Sequence, residues 1–467
     1  MFKRIALLIL IVSFAGSLWS QDFGFGFGFG DDEESESGGQ SYAASTGRAL
    51  SFSVGGEISA GIIGYLHDFS GGPANINTLE MFMLSGKLNF SAKTSFAEGL
   101  ISLNVVPALI PVSIDEAYIR AFFGNFDISA GLKKVTWGKA DQMGPLDILN
   151  MINMSKIFIE MADSASLMGV KIANPIVHTT YRFGRFSKLE GVFLPSFEVI
   201  SSSVSAALGS SNPLMALLIG STAERWIPSQ MQELYFEIGE DTKLFMPVTS
   251  GLDYAQGGLR FTTSVRSADI GAQYFYGRMY QPAVRKVYDS SNALESVEFF
   301  YNKYHHIGID YAQVVFGFNL RAEVAANITE DIRGKDAHVY NPSIGWSFGF
   351  DRDVIGFNIN FQANGSVRLL NSKVGTAPFD IESGTSVTAT RLTAMLSRKF
   401  LREEIELRTA VVWGIEDKDV AIMPAVIWVR DDLRAALSGG FFLGDSNGQL
   451  GQYKNNNFLK ISVTYMF

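Results

Sequence analysis

Few residue patterns in this 467-residue chain have the spacing that catalysis or metal binding needs. The chain has five His and no Cys, and the most suggestive metal-ligand pair is His305 with His306. Consecutive residues of a strand point to opposite faces, so these two imidazoles cannot easily share one ion. No nucleophile elbow, H-E-x-x-H motif or phosphate-binding loop is present. We therefore expect no enzymatic activity, no catalytic residue, no metal and no cofactor.

A larger set of polar residues has the spacing expected of a channel wall. Each member lies on the polar phase of a segment in which apolar and polar residues alternate. Charged side chains are costly against lipid, so these residues should face a water-accessible interior. The candidate pore-lining residues are Glu116, Arg120, Asp127, Lys133, Asn319, Arg321, Glu323, Asn358, Asn360, Gln362, Glu404, Glu406 and Arg408. Taken singly, each of them could instead only solvate the wall and stabilise strand pairing.

The segments that carry these residues alternate with period 2, which predicts β-strands. The alternation is clear over 126–133, 320–327 and 355–364, and such runs are longer than most strands of soluble sandwiches. Turn signals separate many of them, at Gly124-Asn125, at 351–353 and at Arg402-Glu403. Between Leu50 and Phe467 we count roughly 14 to 18 strands. This number predicts an all-β protein, a single transmembrane antiparallel β-barrel wide enough for a polar lumen.

The composition agrees with a barrel rather than with membrane helices. Hydrophobic residues make up 47% of the chain and charged residues 18%, with 46 Gly and 37 Phe. A mean hydropathy of +0.14 is too polar for a bundle of membrane helices. A spanning helix needs about 20 consecutive apolar residues, and no segment after the N-terminus supplies them.

The N-terminus predicts export. Lys3 and Arg4 precede an apolar run over 5–14 and then small residues, which is the order of a secretory signal peptide over 1–20. Cleavage after Ser17 and cleavage after Ser20 both fit. Residues 21–47 combine a Phe-Gly dipeptide repeat with an acidic, Ser-rich run, which predicts a flexible linker. The Phe side chains of this linker are alternatively contacts for lipid or for another envelope protein. The barrel then occupies 48–467.

The last segment, 459–467, ends the chain on an amphipathic strand. Its apolar phase includes Tyr465 and Phe467, and a terminal aromatic of this kind resembles the C-terminal assembly signal of outer-membrane barrels. The closing strand must pair with the first, and its aromatic end belongs in an interfacial girdle. We therefore predict the bacterial outer membrane as the location, with outer-membrane lipid and the barrel-assembly machinery as partners.

The charge pattern gives little information about further partners. The formal net charge is −9, and six acidic residues fall between 22 and 36. Neither the linker nor the barrel has the basic balance of a nucleic-acid binder. We expect no nucleic acid, small solutes as the transported partners, and a possible homo-oligomer.

Several motifs resemble those of an uncharacterised, porin-like family of outer-membrane proteins. The resemblance covers most of 110–467 and is carried by DEAYI (115–119), GLKKVTWG (131–138), PLDILN (145–150), LEGVFLP (189–195), FNLRAE (318–323), FFLGD (441–445) and GQY (451–453). It implies location and architecture rather than a substrate. Phosphate- and alginate-type porins are more distantly similar, and their basic clusters are not evident in this sequence.

Two long connections are rich in apolar residues, 139–165 and 200–230. Apolar loop segments are unfavourable in water, so we consider two positions for them: folded inward as a constriction, or on the rim. Further long connections are expected at 280–295 and 328–342. The sequence as a whole predicts a porin-like channel for passive diffusion of small solutes. The alternative is a surface-exposed structural or adhesive barrel with a plugged lumen.

Overall fold

The structure is a computed structural model, and it describes residues 50–66, 79–106, 112–153, 157–159, 162–163, 168–197, 226, 242–245, 247–371, 382 and 385–467. The predicted signal peptide and linker lie outside these residues. So does the predicted connection 200–230, apart from Trp226.

Eighteen antiparallel strands form one sheet that closes on itself. They are β1 (Ser51–Tyr65), β2 (Leu79–Lys93), β3 (Ala97–Val105), β4 (Ser113–Phe123), β5 (Phe126–Lys133), β6 (Asn174–Phe183), β7 (Ser187–Leu194), β9 (Gln256–Val265), β10 (Ala268–Arg278), β13 (Lys303–Val315), β14 (Phe318–Thr329), β15 (Ser343–Val354), β16 (Phe357–Arg368), β17 (Thr388–Phe400), β18 (Ile405–Gly414), β19 (Asp419–Arg430), β20 (Leu433–Gly444) and β21 (Phe458–Met466). Each barrel strand pairs with the next one along the chain, and the predicted all-β barrel of 14 to 18 strands is confirmed.

The ring closes between the first and last strands. In the β1–β21 register, Glu57 faces Met466 and Tyr65 faces Phe458. The backbone of Phe467 adds two hydrogen bonds to Gly56, with N···O distances of 2.8 and 3.0 Å. The rings of Tyr465 and Phe467 stack with centroids 6.3 Å apart. The terminal segment therefore closes the barrel, as its position at the end of the chain predicted.

The two ends of the barrel differ in the length of their connections. At the end that holds Phe467, the strands are joined by short turns. The two-residue turns Phe316-Gly317 and Ile355-Gly356 have positive φ at both positions, which is the type I′ geometry that matches the twist of paired strands. The predicted turn at 351–353 is wrong, because those residues belong to β15 and the chain turns at Ile355-Gly356 instead. Long connections lie at the opposite end.

One of these long connections folds into a small sheet. β11 (Ala283–Tyr288) and β12 (Leu294–Phe300) form an antiparallel hairpin, and β8 (Lys243–Phe245) pairs with β12 in parallel. The predicted loop 280–295 therefore contains a strand and the start of another. The described residues also include two short 3-10 helices, Leu252–Tyr254 and Gly451–Tyr453, and a helical turn at 157–159. Among the described helices, none is long and apolar enough to cross a membrane.

The alternation of the sequence sorts side chains between two faces of the wall. In β13, Tyr304, His306 and Asp310 are buried inside the barrel, whereas Ile307 and Ile309 are exposed outside. The outer face is mostly Leu, Ile, Val and aromatic residues. The buried core is thus the interior of the barrel, where the polar wall meets the connections that fold inward.

Candidate functional site

The connection between β5 and β6 runs into the barrel instead of over its rim. Within 134–153, the side chains of Trp137, Leu146, Leu149, Met151 and Ile152 are no more than 2% exposed. We call 134–153 the inner loop. If the loop lay on the surface, these apolar side chains would be exposed to water. Packing them against the wall removes their apolar surface from water, which is favourable. For the described part of 139–165, this is the inward one of the two positions considered from the sequence.

One carboxylate on the opposite wall holds the inner loop through its backbone. Glu323 of β14 accepts hydrogen bonds from the backbone amides of Lys139, Ala140 (2.7 Å) and Leu146 (3.4 Å). Five barrel strands separate β5, where the loop starts, from β14. The loop therefore crosses the lumen. Charge-assisted bonds to backbone amides are directional, so they set the position of the loop as well as its stability.

A second polar contact holds the tip of the loop. Asp141 lies beside the guanidinium of Arg321 at 2.5 Å, and the Asn360 amide donates to the same carboxylate at 3.0 Å. Arg321 also pairs with Asp351, which accepts a bond from Asn319. Burial raises the pKa of Asp141 to about 6, and Asp351 adds to this while Arg321 opposes it. Protonation of this loop residue therefore falls close to neutral pH.

Glycines of the wall let the loop approach closely. A methyl group added at Gly345 would lie 2.8 Å from Cβ of Pro145, and one at Gly308 would lie 3.0 Å from Cγ of Leu146. Gln273 donates to the carbonyl of Leu146 at 2.9 Å, and Gln362 contacts the loop backbone at Gln142 (3.2 Å). The close fit of the loop against the wall thus depends both on the glycines, which leave space for it, and on the glutamines, which form hydrogen bonds with it.

The loop returns to its own side through further buried bonds. Lys171 pairs with Asp147 at 2.7 Å, and both side chains are at most 10% exposed. The carbonyl of Leu149 accepts bonds from Asn174 (2.6 Å) and from the Tyr280 hydroxyl (2.8 Å). These contacts connect the loop to β6 and to the connection after β10, so both limbs of the loop are held.

The next stretch of the same connection meets a different part of the wall. Phe158 packs on Trp226, Phe442 and Tyr453, with ring centroids 5.0 to 5.5 Å apart. Asp163 pairs with Lys460 at 3.0 Å and accepts a bond from Ser462 at 2.9 Å. An apolar cluster and one ion pair therefore hold this stretch against β20 and β21.

The wall next to the start of the loop uses its charges differently. Asp127 of β5 accepts from Arg120 of β4 (2.6 Å) and from Arg182 of β6 (2.9 Å). On β6 and β7, Glu190 contacts both His178 (3.3 Å) and Lys188 (3.1 Å). These ionic partners belong to the wall itself, and a small polar cavity lies between Arg120, Asp127, Lys133 and His178.

The structure divides the predicted pore-lining residues into three groups. Glu116, Arg120, Asp127 and Lys133 lie together on β4 and β5, facing inward. Asn319, Arg321, Glu323, Asn358, Asn360 and Gln362 lie together on β14 and β16, and four of these six contact the inner loop or its tip. Glu406 and Arg408 lie on β18, whereas Glu404 lies in the turn before that strand. Whether these residues line a conducting path stays a prediction.

Other residues of the site escaped the sequence reasoning. Asp141 looked like an ordinary loop acid, and nothing in its spacing points to Arg321. Gly308 lies on β13 and Gly345 on β15. A glycine in a strand can allow another segment to approach closely, but the sequence does not show which segment that is. Arg260 and Asp310 form a buried pair at 2.6 Å, and their positions on the inward phase of β9 and β13 could have identified them.

The two His of the pair considered above point to opposite faces. His306 is buried inside against Asn327 (2.8 Å), while His305 faces outward and contacts the hydroxyl of Tyr274 (2.8 Å). Across the described ranges, no group of three or more His, Asp or Glu side chains is arranged to hold a metal ion.

The barrel has counterparts among solved structures. OccK9 (OpdG) of Pseudomonas aeruginosa superimposes with a TM-score of 0.50 at 10% identity, covering 89% of this chain and 97% of that one. The shared feature is the fold. A BenF-like porin of Pseudomonas fluorescens Pf-5 gives a TM-score of 0.49 at 8% identity, with 89% and 98% covered. OmpF of Salmonella typhi gives 0.41 at 8% identity, with 91% and 100% covered.

Sequence comparison adds no closer relative. No protein-family model matches the chain, and no curated protein matches it. The resemblance to an uncharacterised porin-like family therefore stays a prediction, while the similarity to barrels with the porin fold rests on structure.

Proposed function

We propose that the protein is a bacterial outer-membrane channel through which small solutes diffuse passively. The observation that carries this proposal is the combination of a polar inner wall with a loop that crosses the lumen and is held at both limbs. The lumen is narrowed at the loop, and the wall of β2 to β7 offers a polar surface beside it. Selectivity would then arise from wall charges and from the width left by the loop.

Water access to this wall supports the proposal. Lys87 lies midway along β2 on the inward phase and keeps 32% of its side chain exposed, although it pairs with Asp115 at 2.9 Å. Nearer the short-turn end, Arg182 and Lys188 are 50% and 44% exposed. Inward-facing cations with this much exposed surface need a solvated interior, because ionised groups in a dry core carry a large desolvation penalty.

The orientation and assembly follow from the same architecture. In outer-membrane barrels the short turns face the periplasm and the long loops face outward. We therefore place Phe467 and the turns at Ile355 and Phe316 on the periplasmic side. Export by the N-terminal signal, insertion guided by Tyr465 and Phe467, and association into a homo-oligomer complete the proposal.

A barrel with a plugged lumen is the second candidate, and one observation favours it. Phe158, Trp226, Phe442, Tyr453 and Phe458 form a buried aromatic cluster inside the barrel. An apolar cluster of this kind closes its part of the cross-section to polar solutes. A structural or adhesive role at the cell surface would follow if the rest of the lumen were closed as well.

Purified protein in a planar lipid bilayer separates the two candidates. The channel predicts stable steps of current that are linear in voltage, and swelling of protein-containing liposomes in small sugars but not in large ones. Boiled protein, in which the barrel is unfolded, is the control. A folded barrel that gives neither current nor swelling would contradict the channel and support the plugged barrel.

A further inference from the structure

Arg398 is a cation on the lipid-facing phase of β17. Its neighbours on that phase, Leu396 and Phe400, are exposed apolar residues. The guanidinium lies 4.7 Å from the ring centroid of Phe357 and 5.0 Å from that of Phe400. No carboxylate in the described part of the chain lies within ion-pair distance of it. Charge on a lipid-facing surface is costly unless a headgroup or another ion compensates it.

A groove of about 410 Å³ begins at Arg398 and extends over the outer face of β17 to β21. Its lining includes the small outward residues Thr409, Pro424 and Gly439 and the larger apolar residues Leu396, Leu407, Val426, Leu437, Phe441 and Leu459. Almost all of its lining is apolar. The depression is therefore a built feature of the wall next to the cation.

The backbone explains why the groove lies at this place. The β19–β20 register is interrupted between the pairs Ile422–Phe441 and Ala425–Ser438, which is where Pro424 and Gly439 lie. Proline has no amide hydrogen and removes a ladder bond, and glycine supplies no side chain to fill the space. A methyl group at Gly439 would lie 3.0 Å from the carbonyl oxygen of Phe458, so even a small side chain would be crowded.

We propose that this groove binds one anionic phospholipid, with the headgroup phosphate on Arg398 and an acyl chain over Thr409, Pro424 and Gly439. Arg398 lies two residues before the end of β17, close to the short turn and at the level where headgroups meet the barrel. Guanidinium groups bind phosphate oxygens with paired N–H donors, and the two Phe rings orient the guanidinium for this contact. The unpaired charge favours this occupant over a second copy of the chain, whose lipid-facing surface would bring mainly apolar side chains to the groove.

Native mass spectrometry of the full-length folded protein tests the proposal. The protein is mixed with equal amounts of phosphatidylglycerol and phosphatidylcholine, and the lipid retained per barrel is counted. We expect one phosphatidylglycerol to be retained in preference to phosphatidylcholine. Arg398→Gln should lower this preference about fivefold, which corresponds to about 1 kcal/mol for one basic residue at an anionic membrane surface.

Two further variants make the result specific. Thr409→Phe fills the groove without changing a charge and should lower the retention of both lipids. Arg352→Gln is the matched control, because Arg352 also lies on a lipid-facing phase 4.5 Å from a ring, that of Phe318, but does not line the groove. It should retain lipid as the unmodified protein does. Heat-modifiable electrophoretic mobility confirms that each variant is a folded barrel.

Three outcomes would overturn the proposal. If Arg398→Gln retains as much phosphatidylglycerol as the unmodified protein, Arg398 does not bind the headgroup. If Arg352→Gln loses as much phosphatidylglycerol as Arg398→Gln, any basic residue near the membrane surface has the same effect and the groove is not a specific site. A fall in oligomer mass with Thr409→Phe, at unchanged lipid retention, assigns the groove to a contact between copies. Lipid retention is measured independently of current, so the proposed lipid site can fail without the proposed channel function failing, and the reverse.

Discussion

Two walls of the barrel carry similar charged residues and use them in different ways. On β4 to β7, Asp127 and Glu190 find cationic partners on neighbouring strands of the same wall. On β14 to β16, Glu323 and Arg321 bind the inner loop, which comes from the far side of the lumen. The charges of Asp127 and Glu190 on the first wall are used within that wall, whereas Glu323 and Arg321 on the second wall hold the inner loop in place.

The difference shows what decides whether an inward-facing charged side chain pairs within the wall or binds the inner loop. A carboxylate next to a cation on the adjacent strand is satisfied by that cation. Glu323 instead pairs in register with Ser347 of β15 and with Asp310 of β13. On neither of these neighbouring strands does a cation lie directly opposite it. Its lone pairs are taken by backbone amides of the loop, and a buried carboxylate must find such donors.

The largest effect on this comparison should come from Glu323→Ala. The change leaves the backbone amides of Lys139, Ala140 and Leu146 without their acceptor, at a cost of about 1–3 kcal/mol for each group that stays buried and unpaired. We expect the loop to leave the wall, single-channel conductance to rise, and the inner loop to become sensitive to protease. Glu190→Ala is the control on the other wall and should leave conductance near the unmodified value. If Glu323→Ala and Glu190→Ala changed conductance and protease sensitivity equally, the two walls would not differ in how they hold the loop.

A smaller effect is expected when the packing of the loop is disturbed without loss of a polar contact. Gly345→Val places a branched side chain against Pro145 and should displace the tip of the loop, raising conductance less than Glu323→Ala does. Gly349→Ala is the matched control on the same strand, since its added methyl group meets Phe361 and Gln362 and no loop residue. Conductance recordings of both variants, with their folding checked by electrophoretic mobility, would measure the difference.

The docked loop should also respond to pH through Asp141. Its pKa of about 6 lies above the usual value of 3.8, so docking favours the protonated carboxyl. The contribution of Asp141 to docking is complete below about pH 4 and is lost as the pH rises through 6. Current fluctuations from loop movement should therefore be larger at pH 8 than at pH 5. Asp141→Asn, which resembles the protonated form, should show no such change, and a persisting pH dependence in this variant would assign the effect to another group.

The smallest expected effect lies on the self-paired wall. Arg120→Gln removes one of the two cations that bind Asp127 and leaves Arg182 in place. The loop should stay docked and the conductance should change little. The reversal potential in a salt gradient should shift modestly toward cation selectivity, because one positive charge of the wall is gone. A large rise in conductance would show that Arg120 also helps to hold the loop.

Much of the fold could be predicted from the sequence because alternation is local. The inward phase of β5 and β16, the barrel class and the closing role of the last strand follow from period 2 and from the terminal segment, whereas the strand number follows only as a range of 14 to 18. The turn between β15 and β16 could not, since Asp351 and Asp353 look like turn residues. Asp351 is an inward acid that pairs with Arg321, and the turn falls on Ile355-Gly356.

The site could be predicted only in part. The inward position of Glu323 and Gln362 follows from alternation, but their partners lie 177 to 220 residues away in the chain. No local pattern encodes a contact between an acid and the backbone of a distant loop. The close approach at Gly345 and Gly308 depends on the same tertiary contact. The apolar composition of 139–165 made inward folding one of two positions considered, but the contacts that dock the loop were beyond the sequence.

The central claim is that the inner loop crosses and narrows a conducting lumen, and a loop locked to the wall tests it most directly. The chain has no Cys, so Leu146→Cys combined with Gly308→Cys introduces the only thiol pair, at a point where loop and wall are in contact. Single-channel conductance of this variant, oxidised and then reduced, is compared with that of a variant lacking residues 139–150. We predict that the oxidised variant conducts as the unmodified protein does and that the deletion conducts more. A deletion with unchanged conductance, or a locked loop that abolishes current, would contradict the account.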